Sequence, residues 1–111
     1  PNLALRFELR GRGSVVYSSD TEPSDAVAAL ARGAHTLIHE ATFSSLSSER
    51  VGAHSTAAEA GEIAARAGVH RLILTHMDPA HHGEVEALAD EARSRFDGIV
   101  EIAEELVPYP L

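Results

Sequence analysis

Histidines and acids capable of chemistry gather in four short polar clusters of this chain. They are Tyr17-Ser18-Ser19-Asp20-Thr21, His39-Glu40-Ala41-Thr42-Phe43, Ala53-His54-Ser55-Thr56 and Leu74-Thr75-His76-Met77-Asp78. A carboxylate and several imidazoles brought to one place make a first shell for a borderline divalent cation such as zinc. A carboxylate beside an imidazole also makes a proton-handling pair. Each residue has a plainer reading as well. Asp20 before Thr21 and Pro23 fits an Asx-type turn, His76 a hydrogen-bonded loop histidine, and His54 a helix cap. Glu40 is the strongest functional candidate, because an ionised carboxylate just past a buried strand needs a partner and a histidine is a natural one. His81-His82 reads as a solvated loop pair, and His35 and His70 start strands at the opposite edge.

The elements that must position these clusters follow from periodicity. Leu5, Phe7 and Leu9 alternate with Arg6, Glu8 and Arg10, which predicts a half-buried strand. Gly11-Arg12-Gly13 supplies the positive φ angles of a hairpin returning through Ser14–Ser18. Ser24 is the expected N-cap of a helix that Gly33 closes. His35–His39 lacks alternation, as a strand covered on both faces should. After a Ser- and Gly-rich loop from Ser44 to Gly52, Thr56-Ala57-Ala58-Glu59 has the spacing of a capping box and opens a helix to Ala67, which Gly68 ends. Arg71–Thr75 reads as a buried strand, Val85–Phe96 as a helix, Asp97-Gly98 as a turn and Ile99–Ala103 as a last strand. The order β-β-α-β-α-β-α-β predicts an α/β sheet. Three of the clusters then follow strand carboxyl ends and the third heads a helix, so all face one edge, where ligands of such sheets gather. One layer of helices covers one face of the sheet. The face bearing Leu5, Phe7, Val15 and Tyr17 still needs a partner.

Composition narrows the function classes. With 111 residues the chain holds one domain, spanning 1–111. Seventeen acids against nine bases, every one Arg, leave a net charge of −8, which argues against a broad phosphate-neutralising surface. The absence of Cys excludes disulfides and thiolate metal sites. No run reaches the ~18 apolar residues of a membrane span, and no charged-then-apolar leader opens the chain, so the cytoplasm is the expected compartment. The opening at Pro1-Asn2 leads us to expect residues upstream.

In this order the clusters resemble the C-terminal half of metallo-β-lactamase-fold hydrolases, most of all the ribonuclease Z-type phosphodiesterase branch. The match runs over roughly residues 5 to 103. It rests on Tyr17-Ser18-Ser19-Asp20-Thr21, His39-Glu40-Ala41-Thr42, His54-Ser55-Thr56 and Leu74-Thr75-His76. The resemblance implies half of a four-layer αββα sandwich with two zinc ions between its halves, Mn or Fe being alternatives. It makes Asp20 the bridging ligand and His76 a ligand of the second metal. It makes His54 the proton donor to the leaving oxygen, with Glu40 orienting it, and Ser55 and Thr56 donors to a phosphate. The implied partners are the missing N-terminal half with its His-x-His-x-Asp-His set, a small phosphodiester or RNA 3′ end as substrate, and a second copy in a homodimer. The isolated segment is then expected to be inactive, since Asp20 and His76 are fewer than the about three protein ligands of a catalytic zinc.

Two departures bear on substrate. Ser19 stands where the family has Gly, and Asp78-Pro79-Ala80 replaces a Ser-x-Arg that would contact phosphate. The loop at Ser44–Gly52 bears only Arg50, so no RNA-binding arm lies in this segment. A small or generic phosphodiester is therefore favoured over a long RNA, a cyclic nucleotide being one candidate and another ester a further one. Two readings of other classes compete. One is a metal-free interaction domain that keeps the fold without catalysis. The other is an unrelated α/β module in which Asp20 accepts a phosphoryl group.

Overall fold

The structure is a computed structural model, and it describes residues 3–19, 23–42, 54–75 and 85–103. Strands β1 (Leu5–Leu9) and β2 (Gly13–Tyr17) form the expected hairpin. Gly11 and Gly13 have φ of 73° and 81°, a conformation that costs glycine little and other residues much. After α1 (Asp25–Leu30) come β3 (Thr36–Glu40), α2 (Ala57–Ala67), β4 (Arg71–Thr75), α3 (Val85–Arg93) and β5 (Ile99–Ile102). The five strands form one sheet in the order β1-β2-β3-β4-β5. β1 is antiparallel to β2, and every later pair is parallel. The element order and the mixed α/β class are those the periodicity predicts.

All three helices share one face of the sheet. Val16, Leu37, Leu72, Leu74 and Val100 point into the core they make with Val27, Ile63, Ala64, Leu88 and Ala89. Small residues let the helices approach closely. A Cβ added at Gly61 would lie 2.9 Å from the Cα of Ala92 on α3, so Gly is required where α2 crosses α3. Ser24 caps α1 as predicted, and Thr56 with Glu59 forms the full reciprocal capping box at the head of α2.

Two helix ends differ from the sequence reading. α1 stops at Leu30 with Ala31 as its cap, and Gly33, at φ 71°, lies in the turn beyond. There its N–H donates to the carbonyl of Ala67 at 3.0 Å, so tertiary pairing ends the helix sooner. α3 stops at Arg93. Arg95 then donates to the carbonyl of Ala92 at 3.0 Å, a tightened last turn, and Phe96 is buried in the core.

The second face of the sheet is open on its flanks. Leu5, Phe7 and Ile99 are 46%, 51% and 61% exposed, and Tyr17 pairs with Leu5 on the same face. Arg71 on this face pairs with Glu101 across β4 and β5. Among the described residues no helix is long and apolar enough to cross a membrane.

Candidate active site

β2, β3 and β4 run parallel, so their carboxyl ends lie on one edge of the sheet. Glu40 is the last residue of β3 and stands in register with Thr75, the last of β4. β2 is paired with β3 only as far as Tyr17 opposite Ile38. Asp20 and His76, the two expected metal ligands, lie outside the described residues, as does the loop from Ser44 to Ser48 and on to Gly52. Among the described residues no group of three or more His, Asp or Glu side chains converges on a point.

The structure does bring Glu40 and His54 together across 14 residues of chain. Nδ1 of His54 lies 3.1 Å from Oε1 and 3.1 Å from Oε2 of Glu40. A carboxylate oxygen accepts, so Nδ1 carries the proton and donates. Glu40 is 1% exposed, and His54 retains 26% of its side-chain surface. An unpaired carboxylate so buried would be costly, and the imidazole together with Thr42 offsets that cost. The Thr42 hydroxyl donates to Glu40 Oε2, and its oxygen lies 3.3 Å from His54 Nδ1. The result is a buried carboxylate orienting a partly exposed imidazole, a geometry suited to general acid or base work.

Ser55 and Thr56 sit between His54 and α2, both buried. The Thr56 N–H donates to Glu59 Oε1 at 2.8 Å, and the Thr56 Oγ1 accepts from the Glu59 N–H at 3.1 Å. Thr56 thus caps the helix, a contact worth about 0.5–2 kcal/mol, and keeps its hydroxyl proton for another acceptor. His54 itself takes no cap position.

Three residues of this site carried no assigned role in the sequence. Thr42 touches both members of the pair. Ser18 accepts the Glu40 N–H on its Oγ at 3.3 Å and donates to the carbonyl of Ser19 at 2.8 Å. His39 is fully buried on the helix side, and its Nδ1 lies 2.8 Å from the carbonyl of Glu40. That burial pushes its pKa below the usual histidine range. The available signal was a polar residue in each run leading to a strand end. Ser19 has φ 60°, the left-handed region, which accounts for glycine in the family pattern at this position.

His35 and His70 meet at the opposite edge, their ring centroids 5.5 Å apart, far along the strands from Glu40.

Comparison with known proteins supports the fold and the family. The family model described as Beta-lactamase superfamily domain matches residues 1–77. Ribonuclease Z from Haloarcula marismortui is 42% identical over 92 residues, covering 81% of this chain and 30% of that protein. Ribonuclease Z from Pseudomonas putida is 39% identical over 106 residues, covering 87% of this chain and 33% of that protein. Among solved structures, the metallo-beta-lactamase fold protein YhfI from Bacillus subtilis superposes with a TM-score of 0.77 at 34% identity, covering 86% of this chain and 39% of that one. The chain spans about a third of the length of the curated relatives it matches. Matched by that family over most of its length, with a five-stranded mixed sheet that superposes on a metallo-beta-lactamase fold, this chain belongs to the beta-lactamase superfamily.

Proposed function

We propose that this chain is the C-terminal half of a metal-dependent phosphodiesterase of ribonuclease Z type. The observation that carries the reading is the Glu40–His54 pair, a buried carboxylate holding Nδ1 of a partly exposed imidazole at 3.1 Å. The similarity to ribonuclease Z over 81% of the chain supports it. In this reading His54 gives a proton from Nε2 to the departing oxygen, and Glu40 fixes the ring and balances its charge. Thr42 keeps the carboxylate aligned. Ser55 and the Thr56 hydroxyl bind a phosphoryl oxygen at the head of α2.

The donor chemistry at the strand edge fits divalent metal ions, because a carboxylate (Asp20) and an imidazole (His76) immediately follow the described parts of two strands flanking β3. Asp20 and His76 would hold them, two zinc ions by the family pattern. Bound there, such ions supply charge neutralisation at phosphoryl oxygens and activation of water. Two donors are fewer than the about three a catalytic zinc takes from protein. The remaining ligands are assigned to a companion half that packs on the open face bearing Leu5, Phe7, Tyr17 and Ile99.

The substrate is a small phosphodiester rather than a long RNA. Net charge −8, the Asp78-Pro79-Ala80 run in place of Ser-x-Arg and a Ser44–Gly52 loop whose only base is Arg50 support this.

The test uses the intact protein that carries this chain. Turnover of bis(p-nitrophenyl) phosphate should be lost on chelation and restored by added divalent ion, and turnover of an alkyl phosphodiester, whose leaving alkoxide needs a proton, should fall at least about a hundredfold in His54→Ala. Full activity in the presence of chelator, or in that variant, refutes the reading. A steep fall of RNA affinity with salt would return a long RNA to the substrate class.

A further inference from the structure

In a parallel ladder each strand residue sends its N–H and C=O to the same neighbour, alternating sides along the chain. The carbonyl of Ile38 accepts from Ser18 N–H at 2.9 Å, which sets the side facing β2. Glu40, two residues on, must turn its own N–H and C=O to that same side. The last described β2–β3 pair is Tyr17 with Ile38, and Ser19, two residues on, is left-handed. Glu40 is 1% exposed, so its main-chain groups need hydrogen bonds within the protein. Two side chains supply contacts to them. The Ser18 Oγ accepts the Glu40 N–H at 3.3 Å, and Nδ1 of His39 meets the Glu40 carbonyl at 2.8 Å. A carbonyl only accepts, so Nδ1 of His39 carries a proton and donates.

The other ring nitrogen shows that this contact is what the histidine is for. Nε2 of His39 is buried and is the one such side-chain atom without a hydrogen-bond partner among the described residues. An apolar side chain would fill this place beside Leu37 and Leu74 without leaving a polar atom unsatisfied. Only the Nδ1–H repays the choice of an imidazole.

We infer that Ser18 and His39 are positioning residues that hold the Glu40 main chain beyond the last described β2–β3 pair, and so set the Glu40 carboxylate against His54. The inference rests on the Glu40–His54 reading above, and the variants separate the two.

In the intact protein, His39→Phe keeps the ring's bulk and deletes both nitrogens, while His39→Asn leaves a gap but places an amide N–H near the position of Nδ1. With an alkyl phosphodiester as probe, whose leaving alkoxide needs a proton, His39→Phe should lower kcat about tenfold with KM within about twofold. It should melt near the wild-type temperature. His39→Asn should melt lower yet keep kcat within about threefold of wild type. Ser18→Ala should speed hydrogen exchange of the Glu40 amide about tenfold or more. Wild-type kcat in His39→Phe, or a kcat that follows melting temperature in both His39 variants, overturns the role of His39. Unchanged exchange at Glu40 overturns that of Ser18. If Glu40→Gln itself retains wild-type kcat, the proton-handling reading fails and this inference with it. If Glu40→Gln is crippled while His39→Phe is not, only the positioning claim falls.

Discussion

Glu40→Gln keeps the shape of a side chain that is 1% exposed and removes its charge. The change strikes one contact set, the two 3.1 Å approaches of His54 Nδ1 and the Thr42 hydroxyl. A hydrogen bond to a charged group is worth about 1.5–3 kcal/mol. If that energy is realised when His54 becomes its proton-giving form, kcat should fall about 10- to 150-fold. His54→Ala removes the acid itself and should cost about 10²–10⁴-fold. If Glu40 acts through His54 as proposed, the double variant should be no slower than His54→Ala within a factor of about three. The leaving group supplies an independent axis. A p-nitrophenolate departs with little help, whereas an alkoxide needs a proton. Both single variants should therefore lose more activity on an alkyl phosphodiester than on bis(p-nitrophenyl) phosphate. The assay is initial-rate kinetics on both substrates with wild type, the two single variants and the double. Additive losses, or equal losses on the two substrates, would refute the assignment of His54 as proton donor held by Glu40.

Three further outcomes concern the scaffold. Gly61→Ala should destabilise the protein by about 1–3 kcal/mol, because the new methyl meets main chain of Ala92 that cannot swing aside; the urea midpoint measures it. Ser19→Gly should raise the thermal midpoint, since releasing a left-handed L-residue gains about 1–2 kcal/mol and the added freedom of the unfolded chain returns about half of it. His39 makes stability depend on pH. Burial lowers its pKa in the folded state, so below its ordinary value of 6.5 the unfolded chain binds the extra proton first. Its contribution is whole above 6.5 and is lost as pH falls toward the folded value. Melting temperatures at pH 5 and pH 7.5 should differ less in His39→Phe than in wild type.

What could be read in the chain, and what could not, divides by the range of the interaction. The hairpin glycines, the Ser24 cap and the Thr56–Glu59 box are local devices, written within a few residues, and all occur as read. The Glu40–His54 contact bridges 14 residues, yet it too was legible, because a buried carboxylate at a strand end demands a partner and the resemblance named one. Helix ends were less legible. α1 ends where Gly33 reaches Ala67 on α2, a contact made between elements.

The roles of Ser18 and His39 were hidden for a deeper reason. Each is defined by where pairing between β2 and β3 stops, a matter of register between strands separated by a whole helix. Sequence periodicity locates strands and is silent on their register. The same fact explains why such a site arises at this edge. Inside the sheet the ladder satisfies every main-chain group and leaves nothing for side chains to do. Two residues past the last described β2–β3 pair, the side chains of Ser18 and His39 meet the backbone of Glu40. Polar side chains recruited there for backbone reasons stand beside a buried carboxylate, and that carboxylate inherits their rigidity. Moving the end of β2 by one residue, for example by inserting a glycine between Tyr17 and Ser18, should therefore impair kcat through Glu40 even though no residue of the Glu40–His54 pair has changed.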